Sequence, residues 1–278
     1  MTAVKTVVIT GGNTGIGLAT AKQIVQQGQR VILACRDQAR AERARQEIAQ
    51  AVRGAEVLVY ALDLASFDSI RAFAAKLTQD YPAIDVLINN AGVYPTTQQF
   101  TREKFELQFG VNYLGHFLLT HLLLPALKNA GDARIVHLSS IMHNLGKMDF
   151  DSFRGRKRYS ATGAYAQSKL ANLLFSNELA RRLPASITSN AVHPGGVDSE
   201  IYRDMPVFLY RILKLFLISA DRAGKFVADM ALAESWNGKT GQFKSAHGPL
   251  PVARASRNTE LSRRLYEESC GLTGVSPL

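Results

Sequence analysis

The chain has 278 residues, 46% of them hydrophobic, with 33 Lys and Arg against 23 Asp and Glu and a formal net charge of +10. That length and apolar content support one large core, and no linker, repeat or low-complexity tract divides residues 1–278. The basic residues fall in short clusters such as Arg154 to Arg158 without any nucleic-acid-binding pattern, and Cys35 and Cys270 form neither a disulfide framework nor a metal-ligand set, so no nucleic acid and no metal are expected.

Taken in chain order, Thr6–Ile9 reads as a strand, followed by glycines and a helix over Leu18–Gln27. Strand Arg30–Ala34 precedes helix Asp37–Val52, and strand Val57–Leu62 precedes helix Phe67–Gln79. Strand Asp85–Ile88 leads to a long helix predicted over Arg102–Lys128, and strand Arg134–Leu138 leads to helix Ala164–Arg182. Ile187–Val192 and Gln242–Lys244 read as the last strands. The strands are nearly continuously apolar, which marks burial on both faces of a parallel sheet. The expected fold class is therefore α/β: a doubly wound, mainly parallel sheet of about seven strands with helices on both faces. Ligands of such sheets bind beyond the carboxyl ends of the strands.

The N-terminus runs into the first strand with no charged, apolar leader, so no signal peptide is expected. The most apolar stretch, Met205 to Ser219, contains Arg211 and Lys214 and is short for a membrane span. Two far-separated cysteines and no leader fit the cytoplasm. Peripheral membrane contact through residues 200–220 stays open.

After the first strand comes Thr10-Gly11-Gly12-Asn13-Thr14-Gly15-Ile16-Gly17. Glycines there permit a tight turn and close backbone approach to a pyrophosphate, and the helix that follows offers free N–H groups. The candidate phosphate contacts are Gly11, Asn13, Thr14, Gly15, Ile16 and Gly17. The second strand ends in Cys35-Arg36-Asp37. An acidic residue at such a strand end selects NAD, whereas the Arg36 guanidinium suits a 2′-phosphate, so NADPH/NADP is favoured; Asp37 is the residue that can reverse the choice. Asp63, with Leu64, closes the third strand, where the carboxylate can accept from an adenine amino group or cap the next helix. Asn89-Asn90-Ala91-Gly92 closes the fourth, where small residues leave room for a ribose.

Tyr165 and Lys169 stand four apart on a predicted helix and share one face. A phenol titrates near ~10, and a neighbouring ammonium favours its anion, so Tyr165 can donate or accept a proton near neutrality. Ser140, after the fifth strand, can hold a carbonyl oxygen beside that phenol. Asn112 can hold a water that joins Lys169 to solvent. His143, in the segment after Ser140, is a candidate substrate contact along with Ser140 and Tyr165. His116 and His137 lie in apolar segments and read as structural.

The glycine turn, Asn89-Asn90-Ala91-Gly92, Asn112, Ser140, Tyr165, Lys169 and Pro194-Gly195 together resemble the short-chain dehydrogenase/reductase family, in the family's order and over nearly the whole chain. The resemblance implies a Rossmann-type oxidoreductase. It makes Tyr165 the catalytic acid/base, Lys169 its partner, Ser140 the carbonyl anchor and Asn112 a relay residue. It also places Pro194, Gly195 and Val197 along a nicotinamide, with Ser199 where the family often has threonine. The stretches Leu33 to Asp37, Asn112 to Phe117, Tyr165 to Asn172 and Arg264 to Leu272 are similar to the retinol dehydrogenase branch, whose membrane-bound animal members carry an N-terminal apolar anchor. Val93-Tyr94-Pro95-Thr96 resembles the protochlorophyllide reductases.

Residues 201–219 carry Phe208, Leu209, Ile212, Leu213, Phe216 and Leu217 at helical spacing. A substrate lid, a membrane-surface helix and a helix packed on the core all fit that pattern. The expected substrate is a small apolar aldehyde, ketone or alcohol, with retinal/retinol first. A steroid, quinone or polyketide carbonyl reductase, a non-catalytic NADPH-binding sensor and a homo-oligomer remain alternatives of substrate, class and assembly.

Overall fold

The computed structural model describes residues 3–195 and 218–278. Among them seven strands form one sheet: β1 (Thr6–Thr10), β2 (Arg30–Cys35), β3 (Val57–Ala61), β4 (Val86–Asn89), β5 (Ala133–Leu138), β6 (Ile187–His193) and β7 (Phe243–Ser245). They lie in the order β3-β2-β1-β4-β5-β6-β7, and every neighbouring pair is parallel. Between them run α1 (Gly15–Gln26), α2 (Gln38–Ala51) and α3 (Phe67–Asp80). A longer rod, α4, comprises Leu107–Phe109, a π-helical turn over Gly110–Leu114 and Gly115–Asn129. It is followed by α5 (Ala161–Arg182), α6 (Ala220–Leu232) and α7 (Thr259–Thr273).

Strand side chains alternate between the two faces, and each face has its own apolar layer. Val8, Ile32, Leu87 and Ile135 meet α3, α4, α5 and α7. Val7, Ile9, Val31, Val86 and Val136 meet α1, α2 and α6. Both faces of the sheet are thus covered, which is why the strands read as unbroken apolar runs. The winding direction reverses between β1 and β4, so a crevice opens where their carboxyl ends diverge.

The expected elements are present, with shifted ends. The long helix starts at Leu107 rather than Arg102, because Phe100 and Glu106 form an isolated antiparallel bridge that keeps the chain extended before the rod. The Glu106 carboxylate then caps the rod by accepting from the Gln108 and Phe109 amides at 3.0 and 2.8 Å. Ser160 caps α5 through the Gly163 amide at 3.1 Å, so that helix begins three residues before the expected Ala164. The segment after Ser140 contains short 3₁₀ turns at Ile141–Leu145 and Phe150–Ser152.

Three buried histidines give the fold a defined pH response. Desolvation pushes His137 down to about 3 and both His116 and His193 down to about 4. The unfolded chain binds these protons near pH ~6.5, the folded chain only far lower, so their contribution to stability is complete above pH ~6.5 and falls as pH drops toward the folded values. Urea unfolding at pH 7.5 and 5.0 should therefore show a lower free energy at pH 5.0, within a window above the ordinary carboxylate range. Equal values at the two pH settings would contradict the neutral burial of these rings.

Candidate active site

The crevice begins at the glycine turn between β1 and α1. Gly11 and Gly15 take φ of +64° and +54°, which L side chains rarely adopt. A Cβ on Gly17 would sit 2.4 Å from the Gly11 carbonyl oxygen and 2.6 Å from Asn90 Nδ2, so only glycine lets the first turn of α1 close on the loop. Thr14, the N-cap of α1, makes no side-chain capping bond, and no acidic residue stands in the first turn. The N–H groups there stay available to an anion, with the helix dipole behind them. Gly11, Asn13, Thr14, Gly15, Ile16 and Gly17 thus form a cradle that fits a pyrophosphate.

Asn90 ties this turn to the end of β4. Its Nδ2 donates to the carbonyls of Thr10 at 2.7 Å and Gly11 at 3.2 Å. Thr10 Oγ in turn accepts from the Asn90 and Ala91 amides at 2.9 and 3.0 Å. The neighbouring Asn89 points into the core, where it donates to Thr120 Oγ. The asparagine pair is therefore divided, one member for the loop and one for the sheet interior.

At the end of β2, Cys35 is buried and Arg36 is exposed. Burial pushes the Cys35 thiol up to about 11, opposed by the Gly12, Asn13 and Gly11 amides that face it. Asp37 spends its carboxylate on α2, accepting from the Arg40 amide at 2.9 Å and standing 3.5 Å from the Arg40 guanidinium. Asp63 accepts from the Ala65 amide at 3.0 Å, beside buried Leu64, while Ser66 caps α3. Asp63 is thus a brace for the turn rather than the helix cap.

The other half of the site comes from α5, β5 and the π turn. Lys169 is buried, and its Nζ donates to the Leu138 carbonyl at 3.0 Å. Nζ lies 5.4 Å from the centre of the Tyr165 ring, and desolvation pushes the ammonium down to about 8. The Tyr165 ring meets the edge of Tyr94 at 5.3 Å. Gly92 opens toward the same point: a Cβ there would lie 3.5 Å from Asn112 Oδ1 and 3.7 Å from Lys169 Nζ.

The serine pair after β5 is also divided. Ser139 Oγ donates to the Lys169 carbonyl at 2.8 Å, fastening β5 to α5. Ser140 Oγ accepts from the Met142 amide at 3.2 Å, which leaves its proton for a ligand. The loop that follows lies flat on α5, since a Cβ on Gly146 would come within 2.5 Å of the Ala166 carbonyl oxygen.

Two expectations need correction. The Asn112 side chain does not stand open to hold a water. Its Oδ1 accepts from the Val93 amide at 2.7 Å, and its Nδ2 donates to the Val93 carbonyl and to Ser168 Oγ, both at 3.1 Å. It braces the strand-end loop against α5. His143 is fully buried rather than open to a substrate: Nδ1 donates to the Ser140 carbonyl at 2.5 Å, and Nε2 is enclosed, so the ring offers a substrate no exposed atom.

Pro194 and Gly195 follow β6 and are buried, with Gly195 at φ +101°. Val197, Ser199 and nearly all of 200–220 lie outside the described residues. Among the described residues no helix is long and apolar enough to cross a membrane, and no group of His, Cys, Asp or Glu is placed to hold a metal ion.

His116 is structural, as expected from its apolar segment, but its partners were not foreseen. Its ring bridges Thr10 Oγ at 2.8 Å and the Asn112 carbonyl at 3.0 Å, linking the two halves of the site. The available signal was its i+4 spacing from Asn112.

The sequence model described as short chain dehydrogenase matches residues 5–206. Retinol dehydrogenase 12 of Mus musculus is 44% identical over 274 residues, covering 98% of this chain and 87% of that protein. Retinol dehydrogenase 11 of Homo sapiens is 43% identical, covering 98% and 86%. Among solved structures, an uncharacterized protein from Mycobacterium paratuberculosis superposes with a TM-score of 0.82 at 34% identity, over 99% of this chain and 96% of that one. A short-chain dehydrogenase/reductase from Serratia marcescens gives 0.70 at 25%, over 87% and 95%. The glycine cradle, the parallel sheet around it and these matches together show that the chain belongs to the short-chain dehydrogenase family, as an oxidoreductase that binds a nicotinamide dinucleotide.

Proposed function

We propose that the chain is an NADPH-dependent reductase of apolar aldehydes and ketones, retinal first among them, that also oxidises the corresponding alcohols. The observation that carries the reading is the buried Lys169 ammonium beside the Tyr165 ring at the carboxyl edge of the sheet, facing Gly92. The retinol dehydrogenases named above, similar over 98% of the chain, point to the substrate class.

When bound, the dinucleotide supplies or takes up the hydride at its nicotinamide. The chain's own residues handle position and proton. The cradle from Gly11 to Gly17 and the uncapped α1 terminus take the pyrophosphate. Ala91 and Gly92 leave room for a ribose, with Asp63 and Leu64 on the adenine side and Pro194 and Gly195 on the nicotinamide side. Ser140 donates its hydroxyl proton to the carbonyl oxygen of the substrate. Tyr165 transfers its phenolic proton to that oxygen in reduction, and its phenolate recovers the proton from the alcohol in oxidation. The Lys169 ammonium stabilises the phenolate, and because it is desolvated the attraction is stronger than between solvated charges. An ammonium carries three protons; Leu138 takes one, and the others serve the phenolate side and the ribose. Asn112 holds Val93 and Ser168 in register around this pair.

Arg36 supports the choice of NADPH. Arg36 is exposed at the end of β2, while the carboxylate of the next residue, Asp37, is occupied in capping α2 and pairing with Arg40. A charge-assisted contact of this kind contributes about 1.5–3 kcal/mol. Arg36→Ala should therefore raise KM for NADPH by about tenfold or more while leaving KM for NADH nearly unchanged. A wild-type preference for NADH would defeat the assignment.

Following nicotinamide absorbance with retinal, a steroid ketone, an aromatic aldehyde and a small polar ketone tests the substrate class. Retinal should give the highest kcat/KM; turnover of the polar ketone alone would refute it. Tyr165→Phe should retain NADPH binding and lose about 10²–10⁴-fold in turnover. Unchanged turnover would end the proton-transfer reading, and absent wild-type turnover with intact NADPH binding would favour a sensor.

A further inference from the structure

Four residues are assigned to the reacting end. Tyr165 and Lys169 ride on α5, a helix of 22 residues. Asn112 and Ser140 do not; one sits in a π turn and the other at the start of a 3₁₀ turn, both with poorer hydrogen-bond geometry than an α-helix. Something must hold their main chain.

In both cases a buried histidine shortly downstream does so. His116 Nδ1 stands 3.0 Å from the Asn112 carbonyl, four residues earlier. His143 Nδ1 stands 2.5 Å from the Ser140 carbonyl, three residues earlier. Since a carbonyl only accepts, each ring is fixed as the tautomer with its proton on Nδ1. The two side chains are 1% and 0% exposed, and burial lowers the pKa of both, keeping the rings neutral. His116 is anchored on its far side, where Nε2 accepts from Thr10 Oγ at 2.8 Å; the same oxygen receives the Asn90 and Ala91 amides. His143 is anchored by packing edge-on against Phe243 of β7 at 4.8 Å.

We infer that His116 and His143 are paired positioning residues, each donating Nδ1–H to the main-chain carbonyl of a site residue, and that His116 also couples the cofactor cradle to Asn112 through Thr10. This rests on the roles proposed for Asn112 and Ser140. Neither histidine touches the reacting atoms. Each acts by fixing the backbone from which a side chain reaches Val93 and Ser168, or the substrate oxygen.

The test uses the full chain with His→Leu and His→Asn at each position. Leucine keeps similar bulk without a donor; asparagine keeps a donor near the place of Nδ1. Hydrogen exchange at two amides reads the effect without turnover. The Val93 amide reports Asn112 Oδ1, and the Met142 amide reports Ser140 Oγ. His116→Leu should speed exchange at Val93 and not at Met142, and His143→Leu the reverse. Both should lower kcat by about tenfold to a hundredfold with retinal or whichever carbonyl the wild type reduces, a displacement effect at the reacting end. His143→Leu should leave the NADPH dissociation constant unchanged, whereas His116→Leu should raise it. Each asparagine variant should restore amide protection and most of kcat. Wild-type protection at both amides in the leucine variants would overturn the inference, as would asparagine variants as impaired as leucine. Loss of protection in a chain whose wild type reduces no carbonyl would uphold the clamps and defeat the proposed reaction instead.

Discussion

The joint between the carboxyl ends of β1 and β4 is the constraint on which the site depends. Thr10 and Asn90 exchange side-chain and main-chain hydrogen bonds across it, so the glycine turn and the loop at Ala91-Gly92 move as one piece. The sheet reverses its winding direction at this joint, and helices on opposite faces diverge from it. A crevice there is a consequence of topology; its exact width is set by these bonds. The absence of a side chain at Gly17 allows the loop and helix to approach within distances that any Cβ would block, and Gly11 supplies the positive φ of the turn.

A second constraint is the buried ammonium of Lys169. Taking a cation out of water is costly, and the structure offsets that cost with the Leu138 carbonyl and the face of the Tyr165 ring. Ser139 fastens the Lys169 main chain to the end of β5, and Asn172 Nδ2 donates to the same Leu138 carbonyl at 3.1 Å. The end of β5 and the first turns of α5 are thereby locked together. The proposed proton chemistry uses this rigidity: the phenol and ammonium share one helix, and the groups around them are tied to strands rather than to free loops.

Much of this was legible in the sequence, because the period of apolar residues reports which faces are buried. The unbroken apolar strands predicted a covered parallel sheet, and the glycines predicted the turn after β1. The Tyr165–Lys169 spacing predicted one helical face. Other features were hidden because they depend on contacts far apart in the chain. The part Ser139 plays was decided by the Lys169 carbonyl, thirty residues on, which takes its hydroxyl proton. The real start of α4 depended on the bridge between Phe100 and Glu106. His143, expected to contact substrate, was drawn inward by the Ser140 carbonyl and Phe243.

The sequence by itself determined the order of strands and helices, the glycine turn after β1 and the placing of Tyr165 and Lys169 on one helix. These follow from local propensity and periodicity, which act within a few residues. The tertiary structure decided what each polar group does: Asn112 as a brace, Asp37 as a helix cap, and His116 as a bridge between the cradle and the π turn. A buried polar atom must find a partner, and the partner it finds is fixed by which elements the packed core brings beside it.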